Sequence, residues 1–214
     1  MNAERSANLS FLALGDSYTI GEGVAREERW PEQLAVLARA QDVPLGDPLI
    51  IARTGWTTDE LSAAIDSANP QGPFALVTLL IGVNNQYRGR DADEYRGQFR
   101  ALLARAVGFA GGDARHVVVL SIPDWGVTPF AEGRDRRGIS AAIESYNAIG
   151  REETARAGGR FVDVTAASKR AELDRSLLAA DGLHPSGKMY SEWARLALIE
   201  IVAALGTPGR SGFP

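Results

Sequence analysis

The run His116-Val117-Val118-Val119-Leu120-Ser121-Ile122 is apolar and β-branched almost throughout. Side chains alternate between the two faces of a strand, so a run like this must be covered on both. Four more short apolar runs, at residues 9–14, 49–52, 74–81 and 161–164, flank it in sequence. Between them lie segments of helical period. Trp30, Leu34, Leu37 and Ala38 share one face, as do Leu61, Ala64, Ile65 and Ala68. Thr57 and Glu60 stand at capping-box spacing ahead of the second of these helices. Tyr95, Phe99, Leu102, Ala106 and Phe109 stripe a third and read as core. A fourth helix is expected over about residues 139–157, and a fifth over about 185–205.

Strands alternating with helices imply a parallel sheet whose crossovers carry helices to both faces. The expected fold is therefore α/β, three layers deep, with five parallel strands in the flavodoxin-like order 2-1-3-4-5. At 214 residues, with only connection-sized breaks at 69–73 and 111–112, the chain reads as one domain with loose ends at about 1–7 and 206–214.

Composition excludes several kinds of chemistry. There is no cysteine, so disulfides, thiolate metal sites and cysteine nucleophiles are out. Two histidines do not make a histidine-rich zinc site, and no cofactor is called for. Lys and Arg number 23 against 27 Asp and Glu, which argues against a nucleic-acid partner. The densest cationic stretch, Arg134-Asp135-Arg136-Arg137, reads as a solvated loop. No apolar run approaches the roughly 18 residues of a membrane span, and the polar first ten residues lack a signal-peptide core. The expectation is a soluble, cytoplasmic chain without membrane insertion; its oligomeric state cannot be read.

Ligands of such sheets bind beyond the carboxyl ends of the strands. Following each strand in turn gives Gly15-Asp16-Ser17, Arg53-Thr54-Gly55-Trp56-Thr57, Gly82-Val83-Asn84-Asn85, Pro123-Asp124-Trp125-Gly126, and Asp181-Gly182-Leu183-His184-Pro185. These parts suffice for acyl transfer. A serine hydroxyl needs an adjacent base, which His184 can supply, and Asp181 can fix the imidazole tautomer and stabilise its cation. The Ser17 amide, the Gly55 amide and the Asn84 side chain would make three donors to an oxyanion.

Each residue also has an ordinary reading. Ser17 could cap a helix, Asp181 and Asn84 could form turns, and Gly55 could be a loop glycine. His184 could be a turn residue ahead of Pro185, which suits a helix start. His116 opens a strand without an aspartate at useful spacing and reads as structural. Trp125 and Phe130 could line an acyl pocket or merely pack a loop. A phosphate cradle is disfavoured, because no P-loop and no dinucleotide glycine pattern occurs. The absence of Gly-x-Ser-x-Gly around Ser17 argues against the α/β-hydrolase fold.

The four ordered blocks "GDSYT", "RTGWT", "GVNN" and "DGLHPS" resemble those of the GDSL, or SGNH, hydrolases, a family of esterases, lipases and acyl hydrolases. The resemblance implies metal-free hydrolysis of acyl esters through an acyl-enzyme. Ser17, Asp181 and His184 would be catalytic, and Ser17, Gly55 and Asn84 would form the oxyanion hole. The expected substrate is a small acyl ester, with a lysophospholipase-like activity within range. A non-catalytic binder of acylated ligands and an acyltransferase are the alternatives. One departure stands out: the family's third block commonly ends in Asp, where this chain has Asn85. An amide can keep the hydrogen bonds without the charge.

Overall fold

The structure, a computed structural model, describes residues 8–206. Five strands, β1 (Leu9–Gly15), β2 (Leu45–Ala52), β3 (Leu76–Leu80), β4 (Val117–Leu120) and β5 (Arg160–Val162), form one sheet in the order β2-β1-β3-β4-β5. All pairings are parallel. The expected order is borne out. β3 and β4 are buried at every position, as continuous apolar runs in a two-sided sheet should be.

The chain enters α1 (Ser17–Ile20) directly from β1, and then α2 (Trp30–Arg39). α3 (Thr58–Ala68) and α4 (Val83–Tyr87) follow β2 and β3, and α5 (Ala92–Phe109) completes that crossover. α6 (Arg136–Ala157), α7 (Thr165–Lys169) and α8 (Gly187–Leu205) make up the rest. α2 packs on α8 over one face of the sheet, while α3, α5 and α6 pack in sequence over the other. Trp30 and Trp193, both fully buried, anchor the first layer; Tyr95 and Phe99 anchor the second.

Several boundaries differ from the sequence expectation, each for a local reason. β2 begins at Leu45, four residues early, and carries Asp47 and Pro48. It is an edge strand, where a missing N–H and a charged side chain are tolerated. β3, β4 and β5 are each shorter than their apolar runs, and His116 lies in a single helical turn before β4. α6 starts at Arg136, because Asp135 accepts the Gly138 N–H at 3.0 Å and caps it. The cationic stretch is therefore partly a helix start. Pro185 precedes α8, bridged to Leu178, and Ser186 is the cap. The Thr57–Glu60 capping box is present as expected. The expectation of loose ends falls, apart from Gly206, outside the described residues.

One ion cluster ties α5 to α6. The carboxylate of Glu153, nearly inaccessible, receives Arg96 Nη1 at 2.7 Å, Arg100 Nε at 2.9 Å and Arg156 Nη1 at 3.3 Å. Hydrogen bonding from Arg100 leads the effects that lower its pKa from the ordinary 4.5 to about 2, burial notwithstanding. Below the ordinary value, the unfolded chain takes up this proton before the folded one does. The stability contributed by Glu153 is thus fully present above that value and lost as pH falls towards 2. Thermal unfolding of the parent and Glu153→Gln should show the parent more stable at neutral pH, with the gap closing across that acidic window. A gap independent of pH would contradict the charged cluster.

Candidate active site

The strand ends that face the site owe their geometry to a few sequence-encoded constraints. At the end of β1, a Cβ on Gly15 would lie 2.5 Å from Leu80 O and 2.7 Å from Thr19 Cβ. Only glycine lets β1 turn so tightly against β3. Asp16 then caps α1, its Oδ1 accepting the Tyr18 N–H at 3.1 Å. Ser17 is the first residue of α1, so its own N–H has no intrahelical acceptor.

Asp181 and His184 lie in the loop before α8. Asp181 Oδ1 accepts the N–H groups of Leu183 at 2.9 Å and His184 at 3.0 Å. Its Oδ2 meets His184 Nδ1 at 2.6 Å. Partial burial would raise the Asp181 pKa, but the bond from the His184 ring and the two N–H donors outweigh it and hold the carboxyl below its usual range. With Nδ1 engaged by the carboxylate, Nε2 is the nitrogen left for chemistry. Tyr18, buried on α1, stands between the rings of His184 at 5.6 Å and Trp193 at 6.1 Å, bracing the imidazole from the core side.

Residues of α4 grip the loop that carries Gly55. Asn84 Nδ2 donates to Trp56 O at 2.9 Å, and Arg88 Nη2 donates to Gly55 O at 2.7 Å. Gly55 itself has φ +89°, a conformation that other residues adopt only with strain. An amide carries two N–H donors, so Asn84 retains one beyond its bond to Trp56. Asn85 is fully buried and makes a two-way contact: its Oδ1 accepts Thr58 N–H at 3.1 Å, and its Nδ2 donates to Thr58 Oγ1 at 2.7 Å. Thr58 Oγ1 in turn bonds Gln98 Oε1, so the threonine hydroxyl must donate there while accepting from Asn85. A carboxylate could not donate that bond. The departure from the family pattern at this position is accommodated by a directional chain of neutral donors.

These elements line an open cavity of about 170 Å³. Ser17, Gly55, Asn84 and His184 all line it. No hydrogen bond joins Ser17 to His184 among the described residues; catalytic bonds often tighten only with substrate present. Trp125 and Phe130 line the cavity too, and they also pack on each other. Tyr87, Val83 and Leu183 complete the apolar wall and were not singled out from sequence. Tyr87 had a signal, since it sits three residues beyond Asn84 and so on the same face of α4. His116, at the amino end of β4, lies at the opposite end of the sheet from this rim. Among the described residues, no group of three metal-ligating side chains could hold an ion, and no helix is long and apolar enough to cross a membrane.

Residues 13–191 match the profile of the GDSL-like lipase/acylhydrolase family. Solved structures align over most of the chain. The acetylxylan esterase Axe2 from Geobacillus stearothermophilus superposes with a TM-score of 0.68 at 21% identity, covering 90% of this chain and 94% of its own. The psychrotrophic esterase EstA from Pseudoalteromonas sp. gives 0.70 at 16% identity, covering 92% and 99%. The lipase/acylhydrolase from Enterococcus faecalis gives 0.68 at 19%, covering 94% and 99%. At these identities the likeness speaks to the fold. A search of curated proteins finds no match.

Asp16 contrasts with Asp181. It is wholly buried, its Oδ2 has no hydrogen-bond partner, and burial pushes its pKa up to about 7 despite the Tyr18 N–H. The folded state therefore holds a proton that the unfolded chain has already released. The stability tied to this group is present at low pH and lost as pH rises towards 7. That loss accumulates between the ordinary value of 3.8 and about 7 and is complete above it. Asp16→Asn keeps the capping oxygen and removes the titration. Its melting temperature should gain on the parent's as pH rises through that interval, and parallel curves for the two proteins would refute the assignment.

Proposed function

Because the chain belongs to the GDSL-like lipase/acylhydrolase family, we propose that it hydrolyses carboxylic esters through an acyl-enzyme on Ser17, with His184 as base and Asp181 as its partner. The observation that carries this reading is the short Asp181–His184 bond beside a cavity that Ser17, Gly55 and Asn84 share. Ser17 Oγ attacks the ester carbonyl while His184 Nε2 takes the hydroxyl proton. The carbonyl π pair moves onto oxygen, where the N–H groups of Ser17 and Gly55 and the free Asn84 N–H receive it. Collapse expels the alcohol, which leaves with the proton from His184. Water then attacks the acyl-enzyme, again giving its proton to His184, and the acid departs as Ser17 is restored. Asp181, held anionic by three N–H donors, stabilises the imidazolium at both proton transfers.

The cavity supports a small acyl group. Its volume of about 170 Å³ is well below the roughly 300–1,000 Å³ of drug-sized ligand sites. Its wall of Val83, Tyr87, Trp125, Phe130 and Leu183 suits a short hydrocarbon better than a charged or sugar-like moiety. The alcohol side is left to the open mouth. Axe2, similar in fold, is an acetylxylan esterase, and an acetyl group is of the size this cavity accommodates.

Turnover of p-nitrophenyl acetate and covalent capture by a fluorophosphonate probe test this reading together. Ser17→Ala should lose both; retention of full activity in that variant would remove Ser17 from the mechanism. Asn84→Ala should lower kcat by roughly a hundred- to a thousand-fold with little change in KM, since its donor acts on charge that exists only after attack. A loss confined to KM would instead make Asn84 a substrate-binding residue.

A further inference from the structure

The apolar wall of the cavity is built from three rings that touch one another. Tyr87 and Trp125 lie 5.6 Å apart in an edge-on arrangement, Trp125 and Phe130 5.9 Å, and Tyr87 and Phe130 6.2 Å. Tyr87 and Trp125 also line a shallow hollow open to solvent, together with Gln86, Arg134, Asp135 and Ile139. The two rings are thus a partition with space on both sides. Trp125 is buried, but little covers its two neighbours: Tyr87 is 47% exposed and Phe130 38%. Trp125 is held at its edge, where Nε1 donates to Gln86 Oε1 at 2.9 Å.

Arg134 supplies the missing restraint. Its guanidinium carbon lies 4.9 Å from the Phe130 ring centre, 5.4 Å from Tyr87 and 5.6 Å from Trp125, so one cation spans all three rings. Nη2 donates to the Tyr87 hydroxyl at 3.4 Å. Among the described residues no carboxylate pairs with Arg134. Its favourable contact is therefore with the π faces. A planar guanidinium can lie across several rings at once, which a lysine ammonium cannot match.

We propose that Arg134 is a specificity-determining residue, which clamps the Tyr87–Trp125–Phe130 partition and so limits the acyl chain to what the inner cavity holds. This rests on the serine-esterase reading and adds to it the residue that sets chain length. With the clamp gone, Tyr87 is free to swing and the inner cavity opens into the outer hollow. Longer acyl chains then gain apolar surface to bury.

The test is a series of p-nitrophenyl esters from acetyl to decanoyl with the parent, Arg134→Ala and Arg134→Lys. The readout is the octanoyl-to-acetyl ratio of kcat/KM. In the parent the ratio should favour acetyl. In Arg134→Ala it should rise roughly tenfold, the worth of about two further buried methylenes, with the gain appearing as a lower KM for octanoyl. Arg134→Lys should fall between the two. A ratio within twofold of the parent's in Arg134→Ala, with acetate hydrolysis and thermal unfolding intact, overturns the clamp while leaving the esterase reading standing. Absence of both ester hydrolysis and fluorophosphonate capture in the parent overturns the esterase reading and the clamp with it. Should Arg134→Ala not fold, Tyr87→Leu removes the same ring from the partition and must raise the same ratio.

Discussion

Ser17 is placed by the way β1 ends. Gly15 brings the backbone to within a Cβ's reach of Leu80 on β3, and the chain can make that approach only without a side chain. β1 lies between β2 and β3, so its carboxyl end is where the strand order reverses and where a crevice opens. Asp16 closes the turn by capping α1, and the next residue is Ser17. A larger residue at position 15 would have to push β1 and β3 apart at that end. Ser17 would then lose its place relative to Asn84 on α4, which begins three residues beyond the end of β3. The loop carrying Gly55 would move as well, because α4 holds it through Asn84, Asn85 and Arg88.

The pieces legible in sequence are those whose chemistry is local. Strand order followed from five apolar runs, and the residues of the rim followed from reading what comes after each run. Asp181 and His184 are three residues apart, so their bond could be anticipated from spacing alone. The capping box at Thr57 and Glu60 is equally local and is present. What escaped depends on partners distant in sequence. Arg134 reads as a solvated cation, because nothing nearby in the chain says that rings at positions 87, 125 and 130 will gather beneath it. The early start of β2 escaped for a similar reason. Asp47 and Pro48 spoil the apolar pattern, and only its place at the sheet edge makes them acceptable.

Asn85 shows how a departure from a familiar motif can be resolved by direction rather than by charge. Thr58 offers one N–H donor and one hydroxyl, and Gln98 takes the hydroxyl proton. The remaining position on Thr58 Oγ1 is an acceptor, and it calls for a donor from α4. An amide supplies that donor and, on its other atom, the acceptor that Thr58 N–H needs. It also adds no buried charge, and uncompensated buried charge is costly.

The two aspartates nearest the reaction make the corresponding argument about charge. Asp181, partly open and holding three N–H groups, is depressed and stays ionised. Asp16, sealed and with one oxygen unpartnered, is raised to about 7. Environments that push two carboxyls apart in this way divide their roles. In the proposed mechanism, an anion beside His184 favours the imidazolium that would form as Ser17 attacks. A second fixed anion one residue before Ser17 would oppose the negative charge growing on the carbonyl oxygen. Burial, which favours the neutral form of Asp16, would on that reading lessen such repulsion, while its other oxygen still caps α1. In that mechanism Asp16 would act through the placement of Ser17, and Asp181 through the charge it keeps.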